Sequence, residues 1–162
     1  MVAVLAHALG VIRRDIFHQP CDVNALATAA LYHDASEILT GDLPTPIKYH
    51  NAEIMSAYHA VEDLAVQKLL GMLPPELRET YADVLAEDKD GDIYPLVKAA
   101  DKLSAYIKCI EERKAGNNEF LSAEAQTRAA LEASPLPEVQ YFLEHFIPAF
   151  ERDLDELGAI GQ

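Results

Sequence analysis

The chain has 162 residues, half of them apolar, with 13 Lys and Arg against 27 Asp and Glu, a net charge of −14 and a pI near 4.7. That is enough chain for one compact domain with a real core, and an ordinary charged fraction of 25% excludes wholesale disorder. The acidity weighs against nucleic-acid backbones and anionic membranes. It admits an anionic substrate only where a local positive charge, such as a metal ion, reverses the field.

Helical periodicity runs through nearly every segment, and alternating strand patterns with hairpin turns are absent. The spacing predicts a first helix over residues 1–17 that is already under way at its first residue, with no capping side chain ahead of Val2. Pro20 closes it. Asp22 caps a second helix running to about Leu39, which Gly41 and the Leu43-Pro44-Thr45-Pro46 loop bring to an end. A third helix is expected over about 51–71, and Pro74-Pro75-Glu76 opens a fourth that reaches about Leu85. A fifth covers about 93–114 and a sixth about 119–133, with the Gly116-Asn117-Asn118 turn between them. A last one begins after Pro135 and Pro137 and runs to about Leu157, with Pro148 marking a kink or break. The expectation is a single all-α domain over 1–162, a bundle of six or seven helices.

Several alternatives fall away on spacing. Cys21 and Cys109 form no C-x-x-C pair, which excludes a thiolate zinc site or a stapled secreted scaffold. The apolar start, Met1 to Gly10, lacks a basic n-region, and no apolar run is long enough to span a bilayer, so the cytoplasm is the expected location. Asp88, Asp90 and Asp92 alternate as calcium ligands do. However, Gly91 falls between the second and third, and no glutamate closes the loop, so this reads as a solvated connection.

The chemistry concentrates in Ala29-Ala30-Leu31-Tyr32-His33-Asp34-Ala35-Ser36-Glu37-Ile38-Leu39. On a continuous α-helix His33 and Glu37 are four apart and Asp34 and Glu37 three apart, so all three project from neighbouring turns of one side. Imidazole with carboxylate suits a divalent transition metal, and burial of three polar groups is costly unless they satisfy one another or bind an ion. The plainer alternative is a core histidine bonded to its neighbouring acid, with Glu37 solvated. Asp101, on the fifth helix, lies off the apolar stripe Leu96, Ala100, Leu103, Ile107 and Ile110, and by spacing alone reads as a surface aspartate. His18, His50, His59 and His145 read as surface or packing residues, and Tyr141, Phe142, Phe146 and Phe150 as core or dimer interface.

His33-Asp34 with Glu37 behind it and Asp101 on a later helix resembles the HD-domain metal-dependent phosphohydrolases, and within them the bacterial 5′-deoxynucleotidases. The block Tyr-His-Asp-Ala-Ser-Glu-Ile-Leu-Thr-Gly-Asp-Leu-Pro-Thr-Pro-Ile-Lys-Tyr (32–49) carries most of the resemblance. Pro-Glu-Leu-Arg (75–78), Ala-Asp-Lys-Leu-Ser-Ala-Tyr-Ile-Lys-Cys (100–109) and Ala-Gly-Asn-Asn-Glu-Phe (115–120) extend it over essentially the whole chain. The resemblance implies His33, Asp34 and Asp101 as ligands of a divalent metal such as cobalt, manganese or zinc. It implies Glu37 as the acid/base residue near the attacking water, and Asp42, Leu43, Pro44 and Thr45, with Asp34 and Asp101, as substrate contacts. The implied activity is hydrolysis of 5′-deoxyribonucleoside monophosphates by a homodimer, with no nucleic-acid polymer or membrane as partner.

One departure follows from the same resemblance. The family takes a further histidine from a Glu-His-Ser context on the first helix and an Arg-Trp pair upstream that orients the phosphate. Neither motif is in this chain, which has no Trp, and His7 falls two to three turns past the ligand position. The expectation is a first helix whose beginning lies before Met1. Two alternatives stay open beside the deoxynucleotidase: an HD hydrolase for another phosphorylated nucleotide, and a helical dimerisation or binding module that has lost catalysis.

Overall fold

The computed structural model describes residues 1–48, 50–86 and 91–153, with the side chains of Thr45 and Pro46 excepted. The acidic loop at 87–90 and the end of the last predicted helix lie outside the described residues. Among those described, every regular element is helical: α1 (Val2–Val11) running into a π-helical turn (Ile12–Ile16), α2 (Val23–Tyr32), α3 (Glu37–Thr40), α4 (Thr45–Lys48), α5 (Ala52–Met72), α6 (Pro75–Leu85), α7 (Tyr94–Lys114), α8 (Leu121–Glu132), α9 (Pro137–His145) and α10 (Ile147–Glu151). No helix among the described residues is long and apolar enough to cross a membrane.

The seven predicted stretches are all present, and three of them are broken. The first changes pitch at Ile12, where Phe17 N–H reaches back five residues to the Ile12 carbonyl. The second stops at Tyr32 and resumes at Glu37. The last divides at Phe146, and Pro148 sits in the first turn of α10, where a missing N–H costs least. The short α4 is an addition, formed within the Pro-rich loop.

The chain divides into two compact units, Met1–Ala30 with Asp92–Gln162, and Leu31–Gly91. In the first, the α7 stripe Leu96, Ala100, Leu103, Ile107 and Ile110 is fully buried, as its spacing predicts, and packs with Leu5, Ala6 and Leu9 of α1. Leu131, Val139, Phe142 and Ile147 close the core from α8, α9 and α10. Gly10 sets how closely α1 can approach the chain beside it, since a Cβ there would stand 2.9 Å from a methyl of Leu26. Asp22 caps α2 as expected, its Oδ1 accepting from Asn24 and Ala25 N–H at 3.1 and 2.9 Å.

Charged residues are also committed within this unit. Glu138 is fully buried, and its Oε1 takes the Arg13 Nε–H at 2.5 Å, tying the π-helical turn to α9. Arg113, on the last turn of α7, bonds Glu124 of α8 and Glu151 of α10, which pins three helix ends together and raises its pKa. Within the family-like segment 115–120, Asn117 has a structural role: its side chain donates to Glu112 and accepts from the Glu119 N–H, holding the α7–α8 turn.

The second unit is built on α5. Asn51 caps it by accepting the Ile54 N–H at 2.8 Å, and Arg78 of α6 donates to the Gly71 and Leu73 carbonyls, fixing the α5–α6 corner. Arg78 therefore closes a helix end. Ala65 is the one apolar side chain of this unit that is fully buried among the described residues.

Candidate active site

The chemistry-bearing block begins where α2 runs out. After Tyr32 the backbone tightens: Ala35, Glu37, Ile38 and Leu39 N–H groups bond carbonyls three residues back, before the four-residue spacing returns at Thr40 and Gly41. The continuous α-helix expected through His33–Glu37 is thus replaced by a narrower turn, and the facing of the side chains changes with it. At about 120° per residue, Asp34 and Glu37 eclipse each other and His33 falls on the adjoining flank.

His33 is nearly enclosed, its side chain 10% exposed, whereas the Asp34 carboxylate is 51% exposed. The two meet at 2.8 Å, His33 Nε2 to Asp34 Oδ2. Imidazole nitrogen and carboxylate oxygen bound at right angles to one ion stand about 3 Å apart. The spacing and the donor chemistry therefore fit a shared divalent cation. Among the described residues no three His, Cys, Asp or Glu gather where they could hold a metal ion.

Glu37 opens α3 and is half-buried, not solvated as the plainer reading required. Burial, then the charges of Asp34 and Asp42, raise its pKa above the ordinary carboxylate value, and the Lys48 ammonium opposes them. A carboxyl held in this way can carry a proton at higher pH than a free one. That is the property a general acid/base needs.

The turn that follows is fixed by backbone and hydroxyl bonds. Gly41 leaves α3 at φ +72°, a conformation that favours glycine, and its carbonyl accepts from Thr40 Oγ1 at 3.0 Å and Tyr58 Oη at 3.3 Å. Asp42 and Pro44 are exposed and Leu43 half-buried, while the Pro44 carbonyl takes the Ile47 and Lys48 N–H groups that start α4. Thr45 is the first residue of α4, and its side chain lies outside the described set.

Three residues that the sequence analysis did not single out belong here. Lys48 Nζ is 2.9 Å from Glu62 Oε1, both side chains being about four-fifths covered, and it stands 4.4 Å from the centre of the Tyr58 ring. Tyr58 and Glu62 are four apart on α5, so they share one side of it, and that interval is the only trace they leave in the sequence.

Asp101 stands in the other unit, on α7, off the core stripe as its position predicted but half-buried, where spacing alone reads a surface aspartate. His7, His18, His50 and His145 are exposed and His59 is half-buried. His145 lies 4.2 Å from the Tyr141 ring, and Phe142 is buried and stacked on half-exposed Phe146. These are packing residues.

A family model described as 5′-deoxynucleotidase YfbR-like matches residues 1–150. The 5′-deoxynucleotidase YfbR of Shigella flexneri serotype 5b (strain 8401) is 50% identical over 158 residues, which is 97% of this chain and 79% of that protein. The protein of the same name from Escherichia coli (strain K12 / DH10B) is 49% identical over the same length. Among solved structures, an HD-domain phosphohydrolase from Listeria innocua superposes with a TM-score of 0.79 at 26% identity, covering 94% of this chain and 74% of its own. The chain belongs to the 5′-deoxynucleotidase YfbR-like family, on the helical fold of the HD-domain phosphohydrolases.

Proposed function

We propose that this protein hydrolyses 5′-deoxyribonucleoside monophosphates to deoxynucleoside and phosphate, as a single HD-type helical domain acting in the cytoplasm as a homodimer. The observation that carries the proposal is the 2.8 Å approach of His33 Nε2 and Asp34 Oδ2, with Glu37 three residues on, half-buried and its pKa raised by that burial and the neighbouring carboxylates. Half-identity to relatives named 5′-deoxynucleotidase across 97% of the chain supports the substrate class.

In this reading His33, Asp34 and Asp101 hold a divalent transition metal of the cobalt, manganese or zinc kind. When bound, that ion polarises the phosphate and lowers the pKa of water. Glu37 exchanges a proton with the attacking water. Hydrolysis adds that water across the P–O5′ bond, its oxygen ending on phosphorus and a proton on the departing 5′-oxygen. Asp42, Leu43, Pro44 and Thr45, on the turn between α3 and α4, contact the nucleotide.

The test is phosphate release from deoxynucleoside monophosphates with added divalent metal. Asp34→Ala and Asp101→Ala are each expected to abolish the metal-stimulated rate; full turnover in either would contradict the ligand assignment.

A further inference from the structure

The stretch that carries Asp42, Leu43, Pro44 and Thr45 has little with which to hold its own shape. Its flanks, α3 and α4, are four residues each, and a helix of one turn is not stable by itself. Ile38, Leu39 and Ile47 on those turns are each 45% exposed or more, so burial contributes little. Both turns pack on α5, and two bonds reach across from it. Tyr58 Oη donates to the Gly41 carbonyl at 3.3 Å, and Glu62 Oε1 takes the Lys48 ammonium at 2.9 Å. Tyr58 and Glu62 are four apart on α5, so one face of that helix grips both ends of residues 41–48. The Lys48 ammonium also lies 4.4 Å from the centre of the Tyr58 ring, which joins the two ties.

What these ties fix is the start and the end of the substrate turn. The Gly41 carbonyl belongs to the planar peptide that also carries the Asp42 N–H, so holding that oxygen fixes the plane from which Asp42 departs. Gly41 is also where the backbone changes direction, at φ +72°, with no Cβ to limit its rotation. Thr40 Oγ1 holds the same oxygen from within the turn at 3.0 Å, and Tyr58 is the tie that refers it to a 21-residue helix. Stability accounts poorly for the arrangement. A neutral hydroxyl bond is worth little net, and desolvating an ammonium together with a carboxylate yields little more. α5 is already fixed at its two ends by the Asn51 cap and the Arg78 bonds. The geometry that Tyr58 and Glu62 impose explains them better than the energy they contribute.

We propose that Tyr58 is a positioning residue for nucleotide binding: its hydroxyl fixes the Gly41–Asp42 peptide while Glu62, through Lys48, fixes the far end, so that α5 sets how the turn is presented to substrate. The inference rests on the proposed phosphomonoesterase reading, in which Asp42, Leu43, Pro44 and Thr45 contact the nucleotide. It adds two residues of α5 that act through that turn without touching substrate.

The experiment is steady-state kinetics on a deoxynucleoside monophosphate with added manganese, run beside calorimetric titration of the same nucleotide into the manganese-loaded E37Q protein. Loss of one neutral hydrogen bond corresponds to about twofold to tenfold in affinity. Y58F, which keeps the ring under Lys48 and removes only the hydroxyl, is expected to raise KM by that factor and leave kcat within about twofold. In the E37Q protein it should weaken nucleotide binding in parallel. E62A should also raise KM, and E62Q, whose amide oxygen still accepts from Lys48, should raise it less. Because Tyr58 acts through the turn, Y58F should add less to D42A than it does to the wild type. R78M, which loosens the far end of α5, should lower the melting temperature and leave KM unchanged. A wild-type KM in Y58F would overturn the proposal, as would full additivity with D42A. An equal rise in KM for R78M would make Tyr58 a general strut and overturn it too, and so would no binding of nucleotide to the E37Q protein. A wild type that releases no phosphate, beside an E37Q protein that binds the nucleotide more weakly once Tyr58 is changed, would leave this inference standing and remove the proposed function.

Discussion

Helices α5 and α7 are each 21 residues long. α5 carries 13 apolar residues and buries one, Ala65, whereas α7 carries 11 and buries nine. Apolar content therefore does not decide which helix becomes core; arrangement does. On α7 the apolar side chains recur at three- and four-residue intervals on one face, which packs against α1, α8 and α10. On α5 they are spread around the cylinder, and the helix is positioned by polar ties: the Asn51 cap, the Arg78 bonds at its end, and Tyr58 and Glu62 reaching Lys48 and Gly41. The first unit is held by burial. The second is held by directed bonds and carries Asp34, Glu37 and Asp42, to which the proposed function assigns chemistry. The same contrast shows at the surface, where, among the described residues, eight of the fourteen exposed large apolar side chains fall within Leu31–Gly91.

This contrast can be broken by mutation. The largest expected effect on stability is in the first unit, at Arg13. Arg13→Met leaves the fully buried Glu138 carboxylate without its cation and should cost about 3–5 kcal/mol in urea unfolding. A loss under about 1 kcal/mol would show that the pair does not hold the π-helical turn on α9. Next is Ile107→Ala, which opens a cavity in the α7 stripe and should cost about 2–5 kcal/mol. At the small end is Ile38→Ala. It removes an apolar side chain that is 75% exposed and should change stability by less than about 0.5 kcal/mol. Comparable losses for Ile107 and Ile38 would dissolve the distinction between a packed unit and a bonded one.

What could be read ahead of the fold follows the same division. The α7 stripe, the Asp22 cap and the break at Pro148 are local: each depends on spacing or on one side chain a few residues from its target, so sequence carries it. The tightening after Tyr32 is not visible in sequence, because no Gly or Pro marks it and the apolar period continues across it. That one change of pitch alters which of His33, Asp34 and Glu37 share a face. The Lys48–Glu62 pair spans 14 residues and the Arg13–Glu138 pair 125. Neither has a periodic signature, and each exists only after two separate helices have been packed together. The segments 75–78 and 115–120 extend the family resemblance, yet Arg78 and Asn117 there do structural work, so a motif match does not separate chemistry from turn closure.

In the proposed function the second unit carries proton transfer, on Glu37, while the first carries the stability. Glu37→Gln keeps the shape of the side chain, exchanges one acceptor oxygen for an NH2 donor and removes the titrating group. In a single preparation, phosphate release from a deoxynucleoside monophosphate and the melting temperature should part company. The rate is expected to fall by about 10²–10⁴, the usual contribution of a positioned acid/base group, with melting unchanged. A variant that melts like the wild type and turns over at the wild-type rate would contradict the account.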